Sequence, residues 1–375
     1  MIKIILNATL LEKDSTGIGK YQYNVLKKIS KKKNLCLKVI LNSDFVNSNQ
    51  GTEFINNIKT NNPNIEVIVT SGNKSIYRLK SLLGFFLKKD YIYHDLSFNS
   101  AIGKIGKAKI VTFHDAFFLD KNLNRKKFGA ANFNAKYILP WSAKNADHLV
   151  VHTNVVRNLL INGLNIPSNK ISVIPMGNPA ELDDIIEEKS LTNNQMIING
   201  TAIKKPYFLA VGAGQARKRT KDLILASIKT SEQHELVITG RNAINEPDVK
   251  KLLSKNSKVK ILNYVSQGEL ISLYKNASGL FFPSTEEGFG FPIIEGLKYN
   301  IPVFASAIPV FKEVGANFIN YFNVGDINKI SYYMSNVLSG NVKQNNREEV
   351  DEWLKKYSWD NYVEELICLY KRYNT

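Results

Sequence analysis

Two glutamates eight residues apart are the strongest candidates for site chemistry. Residues 281–306 read FFPSTEEGFGFPIIEGLKYNIPVFAS, with Glu287 in a glycine-containing loop and Glu295 further on. We expect a strand to end at Pro283, a helix to begin at Pro292, and Glu295 to lie in its first turn. Carboxylates placed in this way can accept hydrogen bonds from vicinal hydroxyls, as sugar or ribose recognition requires. Taken alone, the pair is more simply explained by a solvated Glu287 and by a Glu295 that complements the helix N-terminus.

A basic pair offers complementary chemistry for phosphate. Arg217 and Lys218 follow the turn Gly212-Ala213-Gly214 and precede a helix predicted to begin near Asp222. At a helix N-terminus they can pair with a diphosphate, Arg bidentately and Lys as a point charge. A solvated basic loop is the alternative.

Three further positions follow predicted strands. Gly17 and Gly19 come after the first strand, where glycines permit a tight loop whose N–H groups can face phosphate, although taken alone their spacing is more simply explained by an ordinary turn. His114 comes directly after an apolar strand, and Asp115 can cap the next turn. A lone histidine in such a place is more often structural than catalytic.

The elements that must position these residues alternate along the chain. Strand-like runs separated by helical patterns predict parallel sheets with right-handed crossovers, hence an α/β fold. Two such series, divided near residue 190, predict two doubly wound domains. A terminal amphipathic helix within 351–373 must dock on its own domain or on the first. The strand-like runs are 2–6, 37–41, 65–70, 108–113, 148–153, 171–175, 207–212, 235–240, 258–262, 278–283 and 301–306.

Composition excludes several classes of protein. A chain of 375 residues, 44% hydrophobic and 22% charged, is long enough for two domains and is not disordered as a whole. Cys36 and Cys368 lie near opposite ends, which favours reduced thiols in a cytosolic protein over a disulfide framework or a metal cluster. The N-terminus has no basic leader, and no run is long enough to span a membrane. We therefore expect a cytoplasmic protein.

The net charge of +17 is unevenly distributed. Residues 1–185 carry 26 Lys+Arg against 13 Asp+Glu, an excess of +13, whereas residues 186–375 carry 24 against 20, an excess of +4. This asymmetry indicates that the first domain meets an anionic partner: nucleic acid, a membrane surface or an acidic substrate.

Taken together, the motifs resemble the family-four retaining glycosyltransferases of GT-B fold. The run Glu287-Gly288-Phe289-Gly290 followed by Glu295 is the most specific, and the others gain weight from their order over nearly the full chain. The other landmarks are Thr16–Tyr21, Thr112–Asp115, Val173–Asn178, Val211-Gly212 with Arg217-Lys218, and Tyr264–Ser266 with Leu273-Tyr274.

The resemblance implies a domain plan and a set of roles. The expected domains are an acceptor-binding Rossmann-like domain (1–190), a nucleotide-sugar-binding one (191–355) and a C-terminal helix (356–375) that can cross back, with the two sheets facing a deep cleft. His114 and Glu287 are the implied catalytic residues: His114 supports the donor sugar across the cleft from Glu287, which holds sugar hydroxyls. The implied donor-binding residues are Gly17, Gly19, Arg217, Lys218, Val265, Gly288, Phe289, Gly290 and Glu295.

The implied reaction needs neither cofactor nor metal. The chain has no Asp-x-Asp motif, since Asp183 and Asp184 are adjacent and lie in the predicted linker. Where relatives commonly have Arg-Lys-Asn, this chain continues with Arg219, Thr220 and Lys221, so Lys218, Arg219 and Lys221 all remain candidates to join Arg217 at the diphosphate. For retention we prefer front-face attack, with the leaving phosphate taking the acceptor proton, over a Glu287 nucleophile.

The expected substrates follow from the same resemblance. The first expectation is mannose transfer from GDP-mannose to a growing, lipid-linked surface glycan; glucosyl or N-acetylhexosaminyl transfer from a UDP-sugar is the alternative. Residues 74–89 can form a basic amphipathic helix, which would either lie on an anionic membrane or pack as ordinary core. Other classes to be tested are a nucleotide-sugar epimerase of GT-B fold, a nucleic-acid-binding protein, which the lack of interleaved aromatics disfavours, and an inactive relative.

Overall fold

The chain forms two compact units. The computed structural model describes residues 1–11, 17–70, 89–98, 106–119, 134–179, 194–240, 247–253 and 258–374. One unit comprises Met1–Gly177 with Lys356–Thr375, and the other comprises Asn178–Lys355. The first unit thus ends earlier than residue 190, and the C-terminal segment packs with it rather than with the unit that precedes it in sequence.

The first unit is built on one parallel sheet of seven strands in the order β3-β2-β1-β4-β5-β6-β7. The strands are β1 (Ile2–Asn7), β2 (Leu35–Asn42), β3 (Glu66–Thr70), β4 (Ile92–Asp95), β5 (Ala108–Phe113), β6 (His148–Val151) and β7 (Ile171–Val173). The helices before the last segment are α1 (Gly17–Ile29), α2 (Ser43–Val46), α3 (Asn49–Asn61), α4 (Leu139–Lys144) and α5 (Asn154–Leu164). Strands β4, β5 and β6 are buried along their whole length, as expected for central strands of a parallel sheet covered on both faces.

The second unit carries a parallel sheet of six strands in the order β12-β11-β10-β13-β14-β15 and a separate antiparallel hairpin, β8-β9. The strands are β8 (Gln195–Ile198), β9 (Thr201–Lys204), β10 (Tyr207–Val211), β11 (Glu235–Thr239), β12 (Val259–Leu262), β13 (Gly279–Phe282), β14 (Val303–Ser306) and β15 (Asn320–Phe322). The helices are α6 (Thr220–Lys229), α7 (Pro247–Leu253), α8 (Gln267–Asn276), α9 (Phe291–Lys298), α10 (Pro309–Gly315), α11 (Ile327–Leu338) and α12 (Arg347–Leu354). Phe208, Phe281 and Phe304 are fully buried in its core.

The predicted α/β class with parallel sheets is confirmed, and the local differences have simple causes. Strand β4 was missed because its four residues include His94 and Asp95, and β15 because it has only three residues. The β8-β9 hairpin lies in a polar stretch that contains none of the predicted strand-like runs, and its two-residue turn Asn199-Gly200 has positive φ at both positions.

The C-terminal segment forms two helices rather than one, α12 and α13 (Trp359–Tyr373). The interruption falls where Ser358 caps α13 by accepting a hydrogen bond from the N–H of Asp360. The apolar residues that recur at near-helical spacing along α13, and so give the predicted helix its amphipathic character, are all buried, namely Trp359, Tyr362, Val363, Leu366, Ile367 and Tyr370. On its outer side, α13 forms ion pairs with α1, Lys28 to Asp360 and Lys32 to Glu364. Among the described residues, no helix is both long and apolar enough to span a bilayer.

Candidate functional site

In the second unit, the loops after β10 and β13 bring Arg217, Lys218 and Glu287 together. Arg217 Nη1 and Lys218 Nζ both donate to Oε1 of Glu287, the lysine over 2.5 Å, and Ser284 Oγ donates to the same oxygen over 2.9 Å. The pKa of Lys218 is lowered overall, because the effect of burial exceeds the opposing effect of the Glu287 carboxylate. Two cations therefore converge on one carboxylate oxygen, the kind of charge that a phosphate oxygen carries.

The arginine of this cluster is locked by its own loop. Its Nε donates to the Gln215 side chain over 2.8 Å, its Nη1 donates to the carbonyl of Glu286 over 3.0 Å, and its carbonyl accepts from the N–H of Thr285 over 2.9 Å. The last two bonds tie the loop after β10 to the loop after β13. The guanidinium is thus held in place before any ligand arrives.

The structure distinguishes the neighbouring cations. Lys218 closes a short 3-10 turn with Arg217 and faces Glu287. Arg219 has φ of 48°, which turns its side chain away, and its Nε bonds Asp222 over 2.5 Å. Helix α6 begins at Thr220, earlier than the predicted start near Asp222. Of Lys218 and Arg219, only Lys218 joins Arg217 at the glutamate in this arrangement.

The glycine-containing loop prepares the start of α9. Gly290 has φ of 113° at the N-cap, and a Cβ there would lie 3.0 Å from the Phe311 ring, so both its conformation and its space favour glycine. Gly288 and Phe289 are buried, with Phe289 edge-on to Phe291 at 5.5 Å. Helix α9 begins at Phe291, which places Pro292 second rather than first.

The prediction for Glu295 is wrong in its position within the helix. Glu295 is the fifth residue of α9 and lies in the second turn, not in the first. Its carboxylate is buried, and Tyr274 donates its hydroxyl to Oε2 over 2.7 Å. Burial, with Glu295 as the second cause, raises the pKa of Tyr274 well above its usual range. Glu295 therefore has its own partner on α8 and is not part of the hydrogen-bonded group at Glu287.

The landmark Tyr264–Ser266, which contains the expected donor-binding residue Val265, is contacted by the β8-β9 hairpin. Asn199 Nδ2 donates to the carbonyl of Tyr264 over 2.6 Å, and Tyr264 is 55% exposed. Val265 follows, half-buried, and Ser266 then caps α8 in a reciprocal capping box with Glu269. The hairpin tip and the helix cap thus hold Val265 from both sides.

In the first unit, His114 lies immediately after β5 with both ring nitrogens engaged. Nε2 donates to the carbonyl of Leu96 over 3.0 Å, and Nδ1 lies 3.1 Å from Nε2 of His152. Burial lowers the pKa of His114 to about 4. Tyr21 from α1 packs edge-on against its ring at 4.6 Å. Asp115 accepts from the N–H of Phe117 over 3.3 Å and so caps the turn, as predicted from sequence.

Gly17 and Gly19 are helical rather than part of a loop. Helix α1 begins at Gly17, so both glycines belong to its first turn; Gly17 is exposed and Gly19 is buried. The preceding residues 12–16, including Thr16 of the predicted glycine loop, lie outside the described residues. Residues 74–89 of the predicted membrane helix, up to Lys88, and the Asp183-Asp184 pair lie outside them as well.

Sequence reasoning missed His152 as a partner of His114. A signal was present: both histidines directly follow or end apolar strand-like runs, and β5 and β6 are parallel neighbours. Adjacent strand ends meet at one sheet edge, which brings the two rings together.

Comparison with known proteins places both units of the chain among glycosyltransferases. Residues 192–356 match the family of Glycosyl transferases group 1, and residues 74–181 match Glycosyltransferase Family 4. A glycosyltransferase from Rickettsia africae has the same fold, with a TM-score of 0.70 and 18% identity over 99% of this chain and 98% of that one. Two parallel sheets with these crossovers define the GT-B class of glycosyltransferase fold.

The chain is similar to family-four glycosyltransferases in both of the matched segments. It is 34% identical over 194 residues to the O-antigen chain mannosyltransferase RfbU of Salmonella typhimurium, a match covering 51% of each chain, so it spans about half the length of that relative. It is 21% identical to the O-antigen chain mannosyltransferase B of Escherichia coli over 99% of this chain and 100% of that one.

Proposed function

We propose that the protein is a retaining, metal-independent hexosyltransferase that moves mannose from GDP-mannose to a growing, lipid-linked glycan. The observation that carries the proposal is the convergence of Arg217, Lys218 and Ser284 on one oxygen of Glu287. Without donor, the carboxylate neutralises the two cations. A diphosphate is a stronger anionic partner for them, and its arrival frees Glu287 to accept hydrogen bonds from the sugar.

The transfer step needs a stabilised leaving group above all. As the bond between the anomeric carbon and the phosphate oxygen breaks, the negative charge on the diphosphate grows, and Arg217 and Lys218 stabilise it. The acceptor hydroxyl attacks from the same face, forms the new glycosidic bond and gives its proton to the departing phosphate oxygen. Configuration is retained without a protein nucleophile, and the two cations supply the charge that a metal would otherwise supply.

His114 acts on the sugar side of this reaction. Its Nε2 donates to the carbonyl of Leu96, and its Nδ1 faces Nε2 of His152, so both ring nitrogens point at partners within the first unit. It therefore supports the reacting carbon through its ring edge or main chain and not as a proton-transferring nitrogen. Its low pKa keeps it uncharged at neutral pH, which suits a carbon that develops positive charge.

The choice of mannose and of a glycan acceptor rests on the relatives. The relatives from Salmonella typhimurium and Escherichia coli described above are both named O-antigen chain mannosyltransferases. Isothermal calorimetry with GDP, UDP and their sugars tests the base and the donor, and NMR of the anomeric centre of the product tests retention. Tighter binding of UDP than of GDP contradicts the GDP-mannose assignment, and turnover of donor to an isomer without acceptor identifies an epimerase.

Lys218→Met tests the cation pair directly. We expect GDP affinity to fall about tenfold, the effect of losing one charge-assisted contact. Lys229→Met, at the opposite end of α6 and exposed, is the matched control and leaves the affinity unchanged. Equal affinities in the two variants contradict the assignment of the diphosphate site.

The lipid-linked acceptor implies contact with an anionic membrane through the basic first half of the chain. Flotation with anionic liposomes tests this contact, and neutral liposomes are the control. Five lysines lie at or just beyond the end of α1, and they are Lys27, Lys28, Lys31, Lys32 and Lys33. Two of them, Lys28 and Lys32, already form ion pairs with α13. Binding to the membrane must therefore use the other cations. Absence of binding to anionic liposomes, or binding that added salt does not weaken, contradicts the contact.

A further inference from the structure

The imidazoles of His114 and His152 face each other at one edge of the first sheet. Nδ1 of His114 lies 3.1 Å from Nε2 of His152, and the ring centroids are 5.0 Å apart. Phe113 of β5 is in register with Val151 of β6. The residues that follow them, His114 and His152, therefore lie side by side where the two strands end. Both side chains are buried.

Each ring also donates to a main-chain carbonyl on its far side. His114 donates from Nε2 to Leu96 over 3.0 Å, and His152 donates from Nδ1 to Ile174 over 3.1 Å. A carbonyl oxygen can only accept, so each ring carries its proton on the nitrogen that faces the carbonyl. In two neutral imidazoles, the nitrogens that face each other are then both acceptors. A hydrogen bond between them requires one proton more than two neutral rings hold.

We propose that His114 and His152 form a proton-binding pair, in which one proton taken from solvent bridges the two facing nitrogens and His152 is the positioning residue for the ring of His114. The pair is neutral when the bridge is empty and carries one positive charge when it is filled. Because two nitrogens share the proton, the pair titrates as a unit. Only the effect on turnover rests on the proposed function, since proton binding follows from the three contacts.

The surroundings place this titration on the acid side of neutrality. Burial lowers the pKa of His114 to about 4 and that of His152 well below its usual range. Among the described residues, the titratable groups around the pair are Tyr21 on α1, Tyr362 on α13, His94 and Asp95 on β4, and Asp115 directly after His114.

The neutral pair is therefore the form present at pH 7 and above, and it is the form that suits transfer. A filled bridge places a positive charge beside the carbon that develops positive charge, which opposes the reaction. Turnover should fall on acidification as the pair takes up its proton.

Two substitutions of His152 separate positioning from proton binding. A glutamine amide can donate to Nδ1 of His114 but cannot take up a proton, so His152→Gln keeps the ring of His114 in place in its neutral form. His152→Leu removes both the facing nitrogen and the imidazole ring that packs against His114 with the ring centroids 5.0 Å apart. At pH 7.5 we expect kcat within about threefold of wild type for His152→Gln and about 10- to 100-fold lower for His152→Leu, with the donor KM unchanged. The acid limb of the pH profile should move to lower pH in His152→Gln.

Two-bond proton–nitrogen NMR of histidine-labelled protein supplies a readout independent of turnover. In the wild type, the ring nitrogens of both histidines should shift with one common midpoint, and in His152→Gln the ring of His114 should stay in its Nε2–H form through that range. Two independent midpoints, or His114 in the Nδ1–H form, overturn the pair. A common midpoint with an unaltered acid limb in His152→Gln overturns the positioning role. Absence of sugar transfer with the NMR result intact contradicts the proposed function and leaves the pair standing.

Discussion

At the scale of single residues, Glu287 is the carboxylate that pairs with both cations of the candidate diphosphate site. It is only partly exposed and accepts from Arg217, Lys218 and Ser284 through one oxygen. Such a carboxylate competes with an incoming diphosphate for the same cations, although it is also the group expected to hold the sugar. Its two roles make opposite predictions for binding and for turnover.

Glu287→Gln should therefore separate the two roles. We expect GDP affinity to be unchanged or higher, because the competing charge is removed, and kcat to fall about 100-fold, because sugar contacts in the transition state are lost. Calorimetry and steady-state kinetics measure the two effects. Glu286→Gln is the control, since its carbonyl bond to Arg217 survives the substitution. Weaker GDP binding in Glu287→Gln contradicts this account of the site.

Gly177 is required for a close approach within the first unit. A Cβ on this residue would lie 2.3 Å from Cγ of the Trp359 ring and 2.4 Å from the main-chain nitrogen of Trp359. Gly177→Ala should destabilise the protein by about 1–3 kcal/mol, because the buried tryptophan must move. Chemical denaturation measures the change. Gly17→Ala, where a Cβ meets nothing within 4 Å, is the control, and equal stabilities of the two variants contradict the packing argument.

At the scale of elements, α13 is attached to the first sheet by buried polar bonds as well as by its apolar face. Tyr370 bonds Nδ1 of His94 over 2.6 Å, and Tyr362 bonds Tyr21 over 2.7 Å. Thr112 on β5 lies between them, 2.9 Å from His94 and 3.2 Å from Tyr21. The polar groups of three elements are thus satisfied by a helix from the end of the chain.

Tyr370→Phe tests how much this hydrogen-bond network contributes to the stability of the protein. The substitution leaves a buried ring nitrogen of His94 without its hydroxyl partner, so we expect the free energy of unfolding to fall by about 1–3 kcal/mol. Tyr373→Phe is the control, because its bond to His148 is longer, 3.2 Å, and only partly buried. A smaller loss for Tyr370→Phe than for Tyr373→Phe would show that the buried bond contributes little.

At the scale of the whole molecule, the histidines make stability depend on pH. All five have a lowered pKa, with burial as the first cause, and they are His94, His114, His148, His152 and His234. The ordinary pKa of a histidine is 6.5, and the pKa in the folded protein is lower, about 4 for His114. At a pH between these two values, the unfolded chain binds more protons than the folded one. Their contribution is complete above pH 6.5 and is lost as pH falls through this window.

One buried carboxyl opposes the histidines. Burial raises the pKa of Asp95 from 3.8 to about 7, so its folded form holds a proton that the unfolded chain releases, and this contribution weakens as pH rises from about 4 to about 7. Burial also raises the pKa of Glu365, which acts in the same direction as Asp95. The five histidines outweigh these two carboxyls, and we expect the Tm to fall by several degrees between pH 7.5 and pH 5.0. Calorimetry in matched ionic strength measures it, and a Tm that rises on acidification contradicts the assignment.

The sequence alone determined the fold class and supplied the candidate site residues. Apolar runs separated by amphipathic stretches are local patterns, so the parallel sheets and the buried face of α13 could be read without coordinates. The run from Glu287 to Glu295 and the Arg217-Lys218 pair were likewise recognisable because their meaning lies in residue types at close spacing. Short or polar elements such as β4 and the β8-β9 hairpin could not be read, because their stability comes from neighbours distant in the chain.

Only the tertiary structure decided which side chains meet. Lys218 rather than Arg219 faces Glu287 because a single left-handed residue redirects the arginine. Glu295 pairs with Tyr274, His114 with His152, and α13 with the first sheet, each across a long stretch of sequence. Spacing in a sequence specifies position along an element, whereas contacts between elements depend on strand order, and strand order is set by burying all the apolar faces at once.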